Sequence, residues 1–380
     1  MCWRGGWNTS KHHQLPEGVV CKISCDGGEA CLALIQTNLI IDKLKEINPD
    51  LKFEIVSMTT VGDRILDSAL SKIGEKSLFT KELEESLKDG TVDFVVHSLK
   101  DLQTVLPEGM VIGCVNKRDD PHDAVVMHKK HDGKTLETLP EGSVVGTSSL
   151  RRIAQIRRKF PHLAIKDIRG NLNTRFHKLD DNDMYDAIVL AVAGLDRMNW
   201  SHRISQKLMP DVCMYAVSQG AIAVECRAED SHMLEILQTL HDRDTAVRCV
   251  AERAFLRRLE GGCTVPVSTF TEIMDDKLVI RGGVYSVDGK EVVEDRSEVL
   301  LPKKQDEDSS SHVYCSIVGG RNGPMFLAAE TVGIELADKL IKQGAATILT
   351  VAKRKAKEAI EEERVRKSAR TENNKTAVSS

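Results

Sequence analysis

VVGTSSLRRIAQIRRKFP, residues 144–161, joins a short apolar run, a polar turn and a basic periodic stretch closed by a proline. The run 144–146 reads as a buried strand. Ser148 and Ser149 follow it, and a serine hydroxyl at a helix start accepts a bond from an otherwise unpartnered amide of the first turn. Residues 150–160 then read as a helix that Pro161 stops. A strand, a polar turn and a helix in that order form the unit of a sheet covered by helices.

Apolar runs of the same length recur on either side, at 53–58, 92–96, 111–115, 124–127, 188–192 and 222–224, with helical patterns between them. Strands that are apolar throughout have both faces covered, so the expected class is α/β with mostly parallel sheets. Beyond about residue 243 the pattern changes. A helix at 244–259 leads into the turn Gly261-Gly262-Cys263; alternating strands at 265–271, 278–284 and 291–299 follow, and then a helix at 328–340. That set reads as a separate α+β unit. The run from 353 to 380 is highly charged and ends in Asn and Ser, the composition of a tail.

At about 150 residues per domain, 380 residues suggest two or three domains. A net charge of −4 with 41 % apolar residues is unlike a chain that coats nucleic acid. No stretch has the roughly 18 apolar residues of a membrane span, and residues 1–20 lack the apolar run of a signal peptide, so the expected compartment is the cytoplasm. The ten cysteines form no CxxC pair and read mostly as reduced core residues; Cys21, Cys25 and Cys31 have neither zinc-pair nor common cluster spacing, and no metal is expected.

Locally the charge is far from neutral. Residues 151–175 carry Arg151, Arg152, Arg157, Arg158, Lys159, Lys166, Arg169 and Arg175 against one acid, Asp167. Arg157, Arg158 and Lys159 read as a solvated helix face. Arg151 and Arg152 lie in the first helical turn, where cations oppose the helix dipole and need an anion beside them. Arg169 and Arg175 flank a Gly/Asn turn in which Asn171 or Asn173 suits a helix cap. With few aromatics nearby for base stacking, small polyanions fit this segment better than a polynucleotide. The strand at 92–96 runs into His97-Ser98-Leu99-Lys100-Asp101, and ligands of open α/β sheets bind beyond such strand ends. Taken alone, Asp101 reads first as a satisfied loop acid beside Lys100 and only second as a functional carboxylate.

Six stretches together resemble porphobilinogen deaminases, of the animal type: GEKSLFTKELE at 74–84, HSLKDL at 97–102, GTSSLRR at 146–152, IRGNLNTR at 168–175, LAVAGLDRM at 190–198 and EGGCTVPV at 260–267. The resemblance implies two domains like periplasmic binding proteins flanking a cleft, and a small α+β third domain. It places a variable segment at 1–19, domain 1 at 20–118 and 217–241, domain 2 at 119–216, domain 3 at 242–352 and a tail at 353–380. It further implies a transferase of tetrapyrrole (heme) biosynthesis that joins four porphobilinogens head to tail into linear hydroxymethylbilane with loss of ammonia. A dipyrromethane cofactor is carried as a thioether on Cys263.

On the same resemblance Asp101 is catalytic, stabilising charge on pyrrole nitrogens and handling the proton. The cofactor contacts are Ser98, Lys100, Thr147, Ser148, Ser149, Arg151, Arg152, Arg175 and Gln219. Gln36, Phe79, Arg169 and Arg197 contact substrate. The expected partners are porphobilinogen and the growing oligopyrrole, with neither nucleic acid nor membrane, and the expected state is a monomer. The chain departs from the family's opening G-T-R-x-S-x-L-A: aligned on Leu32-Ala33, Gly28 stands in the Arg position and Ala30 in the Ser position. Gln103 replaces a usual proline. The altered opening leaves a second reading, an inactive binder of small polyanions.

Overall fold

The computed structural model describes residues 20–26, 32–58, 75–259, 265–303, 312–355, 357–358 and 361, with 20–26, 57–58, 75–80 and 321 described by backbone alone. The first sheet has the order β14-β15-β4-β10-β3-β1-β2. It is built from β1 (Val20–Asp26), β2 (Lys52–Met58), β3 (Phe94–Ser98), β4 (Met110–Val115) and β10 (Ile222–Arg227), with β14 (Val313–Tyr314) and β15 (Ile317–Val318) at its edge. Helices α1 (Leu32–Ile47) and α2 (Glu75–Lys88) connect its early strands.

β3 shows why these strands read as unbroken apolar runs. Phe94 and Val96 pack with Ile40 and Leu44 of α1 and with Met233 and Leu237 of α6 (Ser231–Gln238). Val95 packs on the opposite face with Ala246 and Val250 of α7 (Arg243–Arg258). Every position of the strand meets a covered face, and each buried Val or Phe contributes about 1.5–3 kcal/mol.

Between β4 and β10 the chain leaves to build the second sheet, ordered β7-β6-β8-β5-β9. Its strands are β5 (Asp123–Met127), β6 (Val144–Gly146), β7 (Ala164–Lys166), β8 (Ala187–Ala191) and β9 (Gln206–Leu208). Val125 and Met127 face Ile156 and Phe160 of α3 (Leu150–Lys159), while Ala124 and Val126 face Phe176 and Leu179 of α4 (Leu172–Asp180) and Leu195 of α5 (Val192–Arg197). Both sheets are mixed: β1, β2 and β3 run parallel, as do β6, β7 and β8, but β10 and β5 run against their neighbours.

The third sheet is the antiparallel meander β11 (Val267–Met274), β12 (Lys277–Tyr285) and β13 (Val292–Leu300). It packs with α7 and α8 (Gly323–Lys342) through Phe255, Leu278, Ile280, Phe326 and Leu336. The region after residue 242 is not confined to its own sheet, because Ile317 of β15 pairs with Ile112 of β4.

Two crossings, 116–122 and 209–221, link the first two sheets, and both are fastened to α7. Arg118 on the first crossing binds Glu252 at 2.7 Å and 3.1 Å, and the amide of Ser218 on the second donates to the same carboxylate at 2.6 Å. Both side chains of the ion pair are nearly inaccessible. The crossings also touch directly: the amide of Asp119 donates to the carbonyl of Gly220, where φ is +87° and an added Cβ would lie 2.6 Å from the Asp119 oxygen. Position 220 therefore requires glycine.

Candidate active site

β3 ends at Ser98, whose hydroxyl exchanges hydrogen bonds with the side-chain amide of Gln36 at 2.8 Å and 3.1 Å. A single 3-10 turn, Leu99–Asp101, follows. Leu99 is fully buried and its amide donates to the carbonyl of Ala221, which ties the turn to the end of the second crossing, and Asp101 is exposed at the far end of the turn. Burial pushes the Lys100 ammonium down to about 8; the Asp101 carboxylate opposes that shift, and the Arg152 guanidinium adds to it. The strand-end turn of the first sheet thus lies within electrostatic reach of the α3 N-terminus of the second.

That N-terminus is formed by the predicted strand, turn and helix. Ser149 is the N-cap and its hydroxyl accepts the amide of Arg152. Thr147 is buried and its hydroxyl accepts the amide of Ser149 at 3.3 Å, while Ser148 donates to the carbonyl of Ile168 at 2.5 Å. The anion that Arg151 and Arg152 need in this first turn proves to belong to the protein. It is Asp123, wholly inaccessible at the start of β5. Arg151 reaches its Oδ2 at 2.6 Å, and Arg152 reaches Oδ1 through Nε at 3.0 Å and Nη2 at 2.7 Å. Gln219 donates to Oδ1 as well, at 2.8 Å. Burial alone would raise the Asp123 carboxyl, but the two guanidinium groups hold it well below the ordinary carboxylate range. Sequence reading missed Asp123; its one signal was an acid opening an otherwise apolar strand, Asp123-Ala124-Val125-Val126.

Arg175, on α4, donates from Nε to the carbonyl of Gly170 at 2.8 Å. Burial pushes its guanidinium down to about 10, the positive charge of Arg152 lowers it further, and Asp167 offsets this in part. Asn171 caps the helix by accepting the amide of Thr174 at 2.9 Å. Arg169 pairs with Asp167 at 2.7 Å. Arg197 reaches Asp119 at 2.8 Å and the carbonyl of Gly220 at 2.7 Å, so its guanidinium braces the crossings. Arg157 and Arg158 are exposed or partly so, as a solvated face requires, yet both reach carbonyls of the hairpin at 287–290.

The structure therefore brings Lys100, Asp101, Arg151, Arg152, Arg175 and Gln219 toward one region between the sheets. Four cations meet there, Asp101, Asp123 and Asp167 offset part of their charge, and Arg152 disfavours the charged forms of both Lys100 and Arg175. Such a site is stabilised by added negative charge. Those residues fit a group carrying several carboxylates, as a dipyrromethane does. Cys263, the side chain of Phe79, and Gly28 to Ala30 lie outside the described residues. Among the described residues no group of His, Cys, Asp and Glu has the arrangement of a metal site, and no helix is long and apolar enough to cross a membrane.

Comparison with known proteins bears on the same residues. The family model "Porphobilinogen deaminase, dipyromethane cofactor binding domain" matches residues 28–235, and "Porphobilinogen deaminase, C-terminal domain" matches 246–312. A porphobilinogen deaminase of Synechococcus elongatus is 49 % identical over 318 residues, covering 84 % of this chain and 91 % of the relative. One from Synechococcus sp. strain RCC307 is 51 % identical over 277 residues, covering 73 % and 86 %. Both relatives are cyanobacterial and lend no support to the animal type expected above. Substrate binding domain 2 of Lactococcus lactis GlnP, a solved structure, aligns with a TM-score of 0.36 at 11 % identity, over 64 % of this chain and 91 % of that one. With a family model over more than half its length and relatives about half identical across most of both chains, the chain belongs to the porphobilinogen deaminase family.

Proposed function

We propose that the chain joins four porphobilinogen molecules head to tail, with loss of ammonia, into linear hydroxymethylbilane, as an enzyme of tetrapyrrole biosynthesis. The observation that carries this reading is the cation cluster between the sheets, in which burial and the charge of Arg152 lower both Lys100 and Arg175, with Asp101, Asp123 and Asp167 offsetting part of the shift. Each added pyrrole brings an acetate and a propionate, and fixed guanidinium groups match carboxylates in a partly buried site.

Residue by residue, Lys100 and Arg175 bind substrate and cofactor carboxylates. Ser98 and Gln36 form the polar wall beneath the turn. Thr147, Ser148 and Ser149 organise the α3 N-terminus, and Arg151 and Arg152 present their remaining donors while Asp123 and Gln219 hold them in place. Asp101 sits at the exposed end of its turn, where a carboxylate stabilises positive charge on a pyrrole N–H and moves the proton between ring and leaving amine. Arg169, Arg197 and Phe79 are assigned to the substrate side. The dipyrromethane, held on Cys263, supplies when bound the free pyrrole position from which the chain grows. Domain 1 is 20–118 with 217–241, domain 2 is 119–216 and domain 3 is 242–352, in a cytoplasmic monomer.

Two measurements test this reading. Hydroxymethylbilane formation is expected from the purified full chain. Intact mass is expected to exceed the sequence mass by two pyrrole units, and Cys263→Ser is expected to lose both the excess mass and the activity. A folded, inactive protein at sequence mass would leave the binder reading in its place.

A further inference from the structure

Arg253 of α7 is the largest side chain that the described fold buries completely, at 1 % exposure. A guanidinium in that position costs much more than a leucine or methionine of similar bulk unless its donors are used. They go to backbone carbonyls. Nη2 donates to Gln103 at 2.5 Å, Nη1 to Leu102 at 3.3 Å and Nε to Cys315 at 3.1 Å. Burial pushes the Arg253 guanidinium down to about 10, partly offset by Cys315, Cys249 and Glu225.

Leu102 and Gln103 are the two residues directly after the 3-10 turn that ends in Asp101. The entry to that turn is held just before β10, through the Leu99 amide on the carbonyl of Ala221. Its exit is held from below by Arg253. A rigid fork with donors on three nitrogens fixes direction as well as distance, which an apolar side chain does not. The helix that carries Arg253 ends at Arg258, five residues before Cys263. One helix therefore grips the exit of the Asp101 turn and leads into the segment that holds the cofactor cysteine.

We infer that Arg253 is a positioning residue for Asp101, fixing the exit of its turn against α7 so that the carboxylate stands in register with the growing chain. This rests on the role proposed for Asp101. It is tested with the full-length enzyme, cofactor-loaded by mass, by measuring kcat and KM for Arg253→Met and Arg253→Lys well below their melting temperatures. Displacing a reacting group by about 1 Å costs up to about a hundredfold, so Arg253→Met is expected to lower kcat about thirtyfold with KM within about threefold. Arg253→Lys, which keeps a donor cation, is expected to recover part of the loss. Unchanged kcat per loaded site in both variants, with only the melting temperature lowered, would overturn the inference.

If Arg253→Met does not fold, hydrogen exchange in the unsubstituted enzyme decides. The amides of Leu99 and Leu102 are expected to be protected as well as those of 250–257, and exchange about a hundredfold faster would overturn it. Asp101→Asn measured alongside separates the two failures. If it keeps full turnover, the role of Asp101 has failed; if it loses turnover while Arg253→Met does not, only the positioning role has failed.

Discussion

Gln219 donates its side-chain amide to Oδ1 of Asp123 at 2.8 Å, on the oxygen that also receives Arg152 at 2.7 Å. The second crossing between the sheets is thereby hooked to the carboxylate that orders the α3 N-terminus. Arg151 occupies the other oxygen, and all four side chains are almost inaccessible. A single buried charge sets the position of two cations and of the chain segment that turns back toward the first sheet.

Asp123→Asn leaves two buried guanidinium groups without a counter-charge and is expected to destabilise the fold by about 3–5 kcal/mol, read from urea unfolding. The sign with pH follows from linkage. The Asp123 carboxyl is held below its unfolded value, so its contribution is complete above the ordinary carboxylate range and fades as acid titrates the folded group. The variant is expected to show a shallower loss of stability in acid than the parent; an equal slope would place the linkage elsewhere.

Lys100 is lowered by burial to about 8, so it loses its charge across the mildly alkaline range. Its depressed value means that folding is least favoured by this group below pH 8, where the buried ammonium is fully charged, and is relieved as pH rises toward the unfolded lysine value near 10.4. Binding has the opposite sign, because carboxylates need the charged form. KM for porphobilinogen is expected to rise as pH passes 8, and Lys100→Arg is expected to flatten that rise. A parent profile that stays flat from pH 7 to 9 would remove Lys100 from the anion contacts.

Asp101→Asn keeps the size of the side chain and removes its charge and proton chemistry. Turnover is expected to fall by at least about two orders of magnitude with cofactor loading and substrate affinity largely kept. A loss of tenfold or less would move the proton chemistry to another residue.

Arg175→Ala is expected to impair cofactor assembly or elongation, scored by stalled intermediates in the intact mass, because Arg175 stands within the charge field of Arg152 and is held by the backbone carbonyl of Gly170. Arg157→Ala is expected to leave activity within about twofold, since an exposed arginine on a carbonyl contributes little beyond about 1 kcal/mol. Equal effects from both would mean that the two helix faces have been exchanged.

Much of the architecture was legible because its period was strong. The doubly covered strands at 94–98 and 187–191 and the helix at 150–159 follow from local pattern alone. Two short strands, β7 and β9, have three residues each and too little pattern to stand out. The reversed direction of β10 and β5 was not legible, since pairing direction is set by where the chain re-enters a sheet and not by residue type. In the site, the basic residues announced themselves by local excess, but their counter-ion did not. Asp123 lies 28 residues before Arg151, and a buried partner at that separation leaves no periodic trace. The changed residues Gly28 and Ala30 lie outside the described structure, and their effect belongs to the activity assay.

Glu252 gathers Arg118 from one crossing, Ser218 from the other and the hydroxyl of Thr271 from β11 on a single buried carboxylate. A fragment stopping at residue 241 would keep both crossings and bury Arg118 beside an empty place where that carboxylate belongs, at the cost of several kcal/mol for an unpaired charge. The first two sheets are therefore not a detachable binding module to which a cysteine-bearing domain was appended. Any chimera or truncation that exchanges the cleft must carry α7 with it, because the axle of the cleft is made of residues from both sides of that boundary.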